Sequence, residues 1–437
     1  MGTFLFAAQP GMGHLNPLLT IARRLRHEGH EAVFVQFGPR HVARAIADHG
    51  FRALPLRPPL CSLGLVLLPY TSGFVETTLA MQLFTCGILH YARQLQPHLE
   101  ELKPDAAVVD FSFPGAFLAA EARGIPWVSI YHAGLMYRGP GIPPFGSGLP
   151  IGGSWGWRGR LYSWLNARGE RKIRASVARA RARLGLPPAD SGPYFWTSPW
   201  ATLVLSAEEA EAPRDPLPPR TFYIGPCFAE RRGGQEGFPF ERLSPELPKI
   251  YVSLGTVFNN KPQVFARIIR AFADGRHQLI ISAGGAYERL RSMPLPDHVL
   301  LFPRVPQVEI LPRVDAVISH GGNNTVNETL AAGRPLLVLP VGGEQGDNAS
   351  RVVYLGAGLR ADIARTPAAE VRRLVDLLLE GPFRQRAQEV AAALARTEGA
   401  ATAARFIEHV ARTRSPVERP PGYPLTVTRD LPLPWQV

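Results

Sequence analysis

Short apolar runs alternate with stretches of helical periodicity in the first part of the chain. Residues 3–8 are apolar and end at a Gln-Pro-Gly turn, which is typical of a buried strand. Apolar residues at positions 18, 21, 22 and 25 share one helix face, and Gly29 follows as a stop signal. The alternation continues with predicted strands at 32–35, 52–56, 106–109 and 127–131 and predicted helices at 39–48 and 114–123. Strands that alternate with helices predict a parallel sheet.

The same pattern restarts after residue 248. Strands are predicted at 250–253, 278–282, 299–302, 316–319 and 336–339, and a helix at 262–273. Residues 211–248 are rich in Pro, Gly and charge, as in an interdomain linker, with one short strand at 222–224. We therefore predict an α/β protein with two doubly wound Rossmann-like domains.

The predicted domain limits are residues 1–215 and residues 216–410. A proline-rich tail, 411–437, follows; its Trp435 favours packing on the first domain over disorder. Residues 134–160 are rich in Gly, Pro and aromatics, and a long irregular segment inside a domain is often a substrate loop.

The composition is that of an ordinary soluble globular protein, with 46% hydrophobic and 19% charged residues in a chain of 437. The net charge of +12 rests on arginines, since only Lys103, Lys172, Lys249 and Lys261 are lysines, and a G+C-rich genome produces that bias. The charge is dispersed and no recognition motif accompanies it, so nucleic-acid binding is not expected. It would still attract an anionic substrate.

Cysteine usage and hydropathy indicate a cytoplasmic protein. Cys61, Cys86 and Cys227 are too far apart for a disulfide framework or a zinc site. The N-terminal apolar run is short and lacks a basic region before it, so no signal peptide is expected. No apolar run approaches the ~18 residues of a membrane helix, so stable membrane insertion is not expected. A monomer or a homodimer is expected.

Several cofactor and metal motifs are missing from the sequence. No lysine precedes Ser or Thr as in a P-loop, and Gly11-Met12-Gly13 lacks the third glycine of a dinucleotide fingerprint. No two aspartates stand two positions apart, which excludes a DxD pair for Mg²⁺, and there is no HExxH or Cys/His cluster. We therefore expect neither a cofactor nor a metal.

A glycine-rich loop in the second half predicts a phosphate site. Residues 319–325, Ser-His-Gly-Gly-Asn-Asn-Thr, follow a strand and open a helix. Glycine lets the backbone approach a ligand, and the free N–H groups of a helix start favour an anion. Gly255-Thr256 follows another strand at the same edge, where open α/β sheets bind their ligands.

Three ordered motifs carry a family resemblance: GMGHLNP at 11–17, SLGT at 253–256, and RVPQVEILPRVDAVISHGGNNTVNETLAAGRPLLVLPVGGEQGDNASRV from Arg304 onward. Together they resemble the UDP- and TDP-sugar-dependent glycosyltransferases of family 1, which include macrolide, other antibiotic and plant natural-product enzymes. The resemblance implies a GT-B fold, in which the two domains face a cleft. It also implies metal-independent, inverting transfer of a glucose-type hexose from UDP- or TDP-sugar to a small hydrophobic acceptor.

The resemblance assigns donor roles residue by residue. Val305 and Gln307 would meet the base, Glu328 the ribose, and Glu344 and Gln345 the sugar hydroxyls. The diphosphate would be held by Thr256, His320, Gly322, Asn324 and Thr325, and the donor set also includes Gly13, Gly255, Asn323 and Arg304. Plainer interpretations exist, because Thr325-x-x-Glu328 is also a capping box and His320 could be a buried core histidine.

The sequence departs from the family pattern at the base. Arg304 stands where relatives often have a tryptophan that stacks on the base; an arginine plane also stacks, but the choice between uracil and thymine stays open. Gln345, where some relatives have histidine, favours a gluco-configured sugar.

His14 and Asp110 are the candidate catalytic pair. His14 follows the first strand and Asp110 ends the strand at 106–109, so both lie at the carboxyl edge of the first sheet. A histidine there can take a proton from an acceptor hydroxyl, and a carboxylate would fix its tautomer. The family places its catalytic histidine and supporting aspartate at matching positions. By itself, His14 is better explained as a residue of a helix start, and Asp110 together with the donor motifs favours the catalytic role.

The acceptor pocket is predicted in the first domain, among apolar and aromatic residues of loops, many of which will be core. The candidates are Met81, Phe84, Phe111, Phe113, His132, Met136 and Tyr137.

Three alternative functions remain: a lipid-linked glycosyltransferase or nucleotide-sugar epimerase, a non-catalytic nucleotide-sugar-binding partner, and a dinucleotide oxidoreductase. An epimerase does not need the His14–Asp110 pair, and an oxidoreductase needs the fingerprint that is missing.

Overall fold

The computed structural model describes residues 1–59, 85, 87–132, 134–189, 197–228, 238–255 and 259–437. Three predicted site residues, Met81, Phe84 and Thr256, lie outside these ranges.

Among the described residues, the first domain is built on a parallel sheet of seven strands in the order β3-β2-β1-β4-β5-β6-β7. The strands are β1 (Thr3–Ala7), β2 (Glu31–Gln36), β3 (Arg52–Pro55), β4 (Ala106–Asp110), β5 (Trp127–Tyr131), β6 (Ala201–Val204) and β7 (Thr221–Tyr223). The described helices between them are α1 (Met12–His27), α2 (Arg40–Asp48), α3 (Ile88–Leu102), α4 (Pro114–Ala122) and α5 (Gly156–Arg183).

The second domain contains a parallel sheet of six strands in the order β10-β9-β8-β11-β12-β13. They are β8 (Lys249–Ser253), β9 (Gln278–Ser282), β10 (Val299–Phe302), β11 (Ala316–Ser319), β12 (Leu336–Val338) and β13 (Gly358–Arg360). The helices are α6 (Pro262–Ala271), α7 (Tyr287–Arg291), α8 (Gln307–Ile310), α9 (Asn323–Ala331), α10 (Gln345–Tyr354), α11 (Ala368–Glu380), α12 (Phe383–Ala395) and α13 (Gly399–Thr413). The predicted fold class, two doubly wound parallel sheets, is confirmed.

Alternation of side chains along β1 explains why both faces of the first sheet are covered. Phe4 and Phe6 point into one apolar cluster, and Leu5 and Ala7 point into another on the opposite face. A continuous apolar run of this kind is what a strand buried on both faces requires. Because both faces are closed, the carboxyl edge of the sheet is left for polar side chains.

The first domain extends past the predicted limit at residue 215, because β7 pairs with β6 and so belongs to the first sheet. The chain also returns to this domain at its end. Phe406, Ile407 and Val410 of α13 lie in the first domain's core, although residues up to 410 were predicted to belong to the second. The apolar face of α13 packs against α1 and not against the second sheet.

The tail after α13 packs on the first domain. Trp435 stacks on His409 with ring centroids 3.9 Å apart and meets the edge of Phe406 at 5.0 Å. The Val427 N–H donates to the Tyr223 carbonyl over 2.8 Å, so the tail continues the sheet beyond β7. Backbone pairing of this kind covers an edge strand.

The irregular segment predicted at 134–160 ends earlier than expected, because α5 begins at Gly156 and runs for 28 residues. Its Val177 and Ala180 pack into the first domain's core. No helix among the described residues has the length and apolar character needed to cross a membrane.

Candidate active site

The ends of three neighbouring strands bring His14, Asp110 and His132 together. His14 lies in the first turn of α1 after β1, Asp110 is the last residue of β4, and His132 directly follows β5. Since β1 pairs with β4 and β4 with β5, these three chain segments meet at one edge of the sheet. The carboxyl edge is where open parallel sheets place their functional groups.

A buried carboxylate holds the ring of His14. The distance from His14 Nδ1 to Asp110 Oδ2 is 2.9 Å; the Asp110 side chain is fully buried, whereas that of His14 is 31% exposed. The backbone N–H of Ser112 donates to the other Asp110 oxygen over 2.8 Å, and the Ser112 hydroxyl donates to the same oxygen. The carboxylate is therefore fixed on one side and directs His14 on the other.

His132 shares the same carboxylate oxygen. Its Nε2 lies 2.6 Å from Asp110 Oδ2, and its side chain is nearly buried. A carboxylate only accepts hydrogen bonds, so both ring nitrogens that face it carry a proton. His14 is then the Nδ1–H tautomer, with Nε2 left as an acceptor. His132 was predicted to line the acceptor pocket, and its contact with Asp110 was not foreseen, although its position directly after the strand beside Asp110 was a usable signal.

The charges of this cluster reinforce one another. Burial opposes the ionisation of Asp110, but the two histidine rings outweigh burial and hold the pKa of Asp110 well below its usual range. Burial also opposes the protonation of His14, but the Asp110 carboxylate outweighs it, so the pKa of His14 is raised above its usual value of 6.5. The Glu344 carboxylate adds to that increase, which places it near enough to act on His14 from the second domain.

The same cluster has the composition of a metal-binding group. The ligand atoms of His14, Asp110 and His132 all lie within 4.8 Å of one another. In the part of the chain that the structure describes, no other set of three His, Cys, Asp or Glu side chains is this compact. Imidazole and carboxylate ligands suit zinc, so a divalent ion could bind here only by displacing the protons on the two facing nitrogens.

The loop after β11 places His320 between two glycines. A Cβ atom on either Gly255 or Gly322 would lie 2.5 Å from the His320 ring. Burial lowers the pKa of His320 to about 4, so the ring is neutral near pH 7. The two glycines therefore serve the packing of a neutral imidazole, in addition to any close approach of a ligand.

The helix α9 begins at Asn323, with Gly322 as its N-cap and no side-chain cap. Thr325 is therefore inside the helix, and the capping-box interpretation of Glu328 is wrong. Glu328 instead accepts a hydrogen bond of 2.6 Å from Gln307 Nε2, while Tyr251 donates to Gln307 Oε1 over 3.1 Å. Burial raises the pKa of Glu328 to about 7, as expected for a carboxylate with few donors.

The remaining donor-binding candidates differ in which of their groups can contact a ligand. Val305 is buried in the second core, so only its backbone can meet a ligand, while Arg304 is exposed. Glu344 is exposed. Gln345 is buried, and its side-chain oxygen accepts from the backbone N–H groups of Val341 and Gly342 over 2.8 and 3.2 Å. That oxygen closes a turn, which leaves only the Gln345 amide nitrogen for a sugar hydroxyl.

The acceptor candidates divide between the core and the site. Phe113 and Tyr137 are core residues rather than pocket residues, since both are buried against other aromatic rings. Phe111 is half-buried; its ring lies 4.1 Å from that of Tyr131 and 6.3 Å from that of His14. Met136, also half-buried, packs beside the same small cluster. Phe111 is therefore the aromatic candidate that adjoins His14.

The two domains meet across a cleft that is lined by residues of both. Asn324 Nδ2 at the start of α9 lies 3.5 Å from the carbonyl of Gly13, beside His14. The lining includes Asn16, His132, Cys227, Asn323, Asn324 and Glu328. The glycine-rich loop of the second domain thus faces the His14 cluster of the first.

A second interdomain contact was not foreseen from the sequence. Asp347 in α10 accepts hydrogen bonds from the backbone N–H groups of Gly146 and Gly148, the latter over 2.8 Å. The buried guanidinium of Arg351 pairs with Glu211 at 2.5 Å, and Glu211 also accepts from the N–H of Gly134. The irregular segment of the first domain is thereby fixed on the helix that follows Glu344.

Comparison with known proteins agrees with this arrangement. Residues 201–396 match the model of the family described as UDP-glucoronosyl and UDP-glucosyl transferase. Over these residues the chain resembles this family. The resemblance inferred from the three sequence motifs is thereby confirmed, and the protein is a glycosyltransferase that uses a nucleotide sugar.

The relatives cover nearly the whole chain. It is 29% identical over 435 residues to a zeaxanthin glucosyltransferase from Pantoea ananas, covering 97% of this chain and 99% of the relative. It is also 29% identical to the 4'-demethylrebeccamycin synthase of Lentzea aerocolonigenes, with 86% and 92% of the two chains covered.

Solved structures share the architecture of this glycosyltransferase. The glycosyltransferase of kitacinnamycin superposes with a TM-score of 0.71 at 25% identity, covering 93% of this chain and 98% of the other. The calicheamicin glycosyltransferase CalG4 superposes with a TM-score of 0.74 at 22% identity, covering 94% and 99%, and shows the shared fold. The GT-B arrangement of two facing domains is therefore confirmed.

Proposed function

We propose that this glycosyltransferase transfers a glucose-type hexose from UDP- or TDP-sugar to a hydroxyl group of a small hydrophobic acceptor, with inversion at the anomeric carbon and with His14 as general base. The observation that carries the proposal is the His14–Asp110 contact of 2.9 Å on one side of a cleft whose other side is the glycine-rich loop of α9. A base and an anion site that face each other fit a displacement reaction.

His14 is suited to take the acceptor proton. Its Nδ1–H donates to Asp110, so the lone pair of Nε2 is the one that accepts. As Nε2 takes the hydroxyl proton, the acceptor oxygen forms a bond to the anomeric carbon, and the bond from that carbon to the diphosphate oxygen breaks on the opposite face. Attack from opposite the leaving group inverts the configuration. The imidazolium that forms is stabilised by the ionised Asp110.

The second domain is suited to hold the donor. The N-terminus of α9 offers unpaired backbone N–H groups and Asn324 to the diphosphate, and neutral His320 adds a ring beside them. Glu328 and Gln307 are joined by a hydrogen bond, and in this proposal they recognise the ribose hydroxyls and the base. Glu344 is exposed and near His14, and in this proposal it accepts hydrogen bonds from the sugar hydroxyls.

Relatives support the class of substrate. The names of two relatives refer to zeaxanthin, a polyene alcohol, and to a demethylrebeccamycin, and the family description names UDP-sugars. A half-buried Phe111 beside His14 gives a hydrophobic acceptor an aromatic surface to contact.

We propose that the negative charge of the donor's diphosphate is neutralised without a metal or other cofactor. The helix dipole and N–H groups of α9 supply positive potential where charge develops on the leaving diphosphate. The His14–Asp110–His132 group could bind Zn²⁺, but an ion there would compete for the Nδ1 of His14. We therefore expect activity to persist in EDTA and excess Zn²⁺ to inhibit.

The deciding experiment measures UDP or TDP release and glycoside formation with a panel of phenols and polyene alcohols. Proton NMR of the product gives the anomeric configuration. An α-linked donor that yields a β-glycoside, only when acceptor is present and with or without EDTA, supports the proposal. An α-glycoside would exclude inversion, and loss of activity in EDTA with recovery on metal addition would exclude metal independence. Altered donor sugar without acceptor would point to an epimerase.

A further inference from the structure

The first turns of α5 expose three large apolar side chains. Trp157 is 65% exposed, Leu161 44% and Trp164 56%. Their spacing places all three on one helix face. Apart from the terminal Met1 and Val437, the two tryptophans are the most exposed large apolar side chains among the residues that the structure describes. Such a patch at the surface of a folded domain calls for a partner.

The same outward face becomes basic further along the helix. Arg168, Arg171 and Lys172 are exposed, and Arg158 and Arg160 flank the apolar residues. The guanidinium of Arg158 lies 5.7 Å from the ring of Trp157, and that of Arg168 lies 5.9 Å from the ring of Trp164. Cationic groups and indole rings therefore occupy one continuous surface.

Negative charge on α5 is confined to Glu170, which is already paired. Its carboxylate lies 2.8 Å from Arg174 and 3.2 Å from Arg138. No ion pair with Asp or Glu is formed by Arg158, Arg160, Arg168, Arg171 or Lys172 within the ranges the structure describes. The outward face thus keeps its positive charge for a partner.

The opposite face of α5 fixes the helix to the first domain. Ile173, Val177 and Ala180 are buried, and Arg181 makes a bidentate pair with Glu121 at 2.6 and 2.7 Å. Asn166 Nδ2 donates to the Phe145 carbonyl over 3.0 Å. Because these contacts hold the inner face, the tryptophans cannot turn into the core, and their exposure belongs to the folded state.

We propose that the outward face of α5 docks this enzyme on the surface of an anionic lipid bilayer. Indole rings and leucine enter the boundary between headgroups and acyl chains, where tryptophan is favoured. Arginine and lysine beside them meet lipid phosphates, as in other interfacial helices that are apolar and basic. Docking is peripheral, which agrees with the lack of a membrane-crossing helix among the described residues. It goes beyond sugar transfer and does not depend on it.

Lipid fits this surface better than nucleic acid does. Trp157, Leu161 and Trp164 form a contiguous apolar end, and Leu161 offers nothing to a phosphate backbone or to a stacked base. The aromatic residues precede the basic ones along the helix instead of alternating with them. An acidic protein would need an apolar groove beside its carboxylates to cover both indoles, whereas an anionic bilayer offers apolar chains and phosphates together.

Flotation with vesicles of phosphatidylcholine, with and without phosphatidylglycerol, tests the proposal on the full chain. We expect the wild-type protein to float with anionic vesicles at least tenfold more than with neutral ones, and to be released as salt shortens the screening length. The triple variant Trp157→Ser, Leu161→Ser, Trp164→Ser and the triple variant Arg168→Gln, Arg171→Gln, Lys172→Gln should each lose at least tenfold.

Two matched variants control for nonspecific effects. Met293→Ser, Val353→Ser, Leu377→Ser removes three apolar side chains of 42%, 42% and 40% exposure elsewhere on the surface. Arg40→Gln, Arg289→Gln, Arg419→Gln removes the same charge at dispersed exposed sites. Both should float like the wild type, and circular dichroism should show that all four variants are folded. Equal binding to neutral vesicles, equal loss in the controls, or binding to duplex DNA without binding to vesicles would overturn the proposal.

Discussion

His14 and His320 occupy comparable places in the two domains, each just after a parallel strand: His14 in the first turn of α1, and His320 in the loop that leads into α9. Their surroundings are opposite. His14 faces the carboxylate of Asp110, which raises its pKa, whereas His320 is buried between glycines, which lowers its pKa to about 4. The same residue on the same fold is therefore suited to accept a proton in one domain and to stay neutral beside phosphates in the other. The neighbours, rather than the element, decide the chemistry.

The comparison also separates two ways of fixing an imidazole. His14 is held by hydrogen bonds, through Asp110, whose other oxygen is held by Ser112. His320 is held by shape, because Gly255 and Gly322 leave room for its ring where any Cβ would collide with it. The first arrangement should respond to pH and to charge, and the second to side-chain volume.

The largest effect is expected from His14→Ala. Removing the proposed general base should lower kcat by about 10²–10⁴-fold, while the affinity for UDP or TDP stays nearly unchanged. Single-turnover kinetics and calorimetric titration with nucleotide measure the two quantities. His41→Ala, at an exposed position of α2, is the matched control. Normal turnover in His14→Ala would show that His14 is not the general base, and that the two histidines do not differ in this way.

The pH profile of kcat/KM should show which histidine titrates. His14 must be unprotonated to act, so the rate should fall about tenfold per pH unit below its pKa, and the midpoint should lie above 6.5. Since Asp110 causes the increase, Asp110→Asn should move the midpoint down. His320 titrates too low to contribute between pH 5 and 8. A decrease in kcat/KM with its midpoint near pH 4 in the wild type would indicate that His320, and not His14, controls the pH profile.

Gly322→Ala should weaken donor binding by roughly tenfold, because overpacking a fitted site costs about 1–3 kcal/mol. The φ of Gly322 is −61°, so alanine brings no backbone strain and acts only through its 2.5 Å approach to His320. Nucleotide affinity is the readout. In the His320→Ala background the same substitution should cost nearly nothing, and full additivity of the two changes would show that the glycine does not act through the ring.

The smallest effect is expected from His132→Ala. Loss of one donor makes Asp110 a stronger acceptor for His14, so the acidic midpoint should rise while kcat falls only about threefold to tenfold. His132→Gln retains an N–H donor and should restore most of the wild-type profile. A merely structural role would change kcat or stability without moving the midpoint, and a downward shift would contradict the shared-carboxylate arrangement.

Site residues could be predicted from the sequence only where they directly follow or end a predicted strand of the parallel sheet. His14 and Asp110 each follow or end an apolar strand, so a parallel sheet brings them to one edge whatever the details. Phe113 and Tyr137 have the same kind of local signal but are core residues, because burial depends on which rings pack opposite them. Gln345 closes a turn with its side-chain oxygen, which motif spacing does not reveal.

Periodicity by itself determined two parallel α/β domains, and the ordered motifs determined the resemblance to nucleotide-sugar glycosyltransferases. Tertiary structure alone decided that His132 shares the Asp110 oxygen, that α13 returns to the first domain, and that Asp347 fixes the irregular segment to the second. The physical reason is the distance along the chain over which each property is set. Strand and helix patterns are local properties of the chain, whereas a hydrogen-bond partner, a buried face or a pKa depends on segments that only folding brings together.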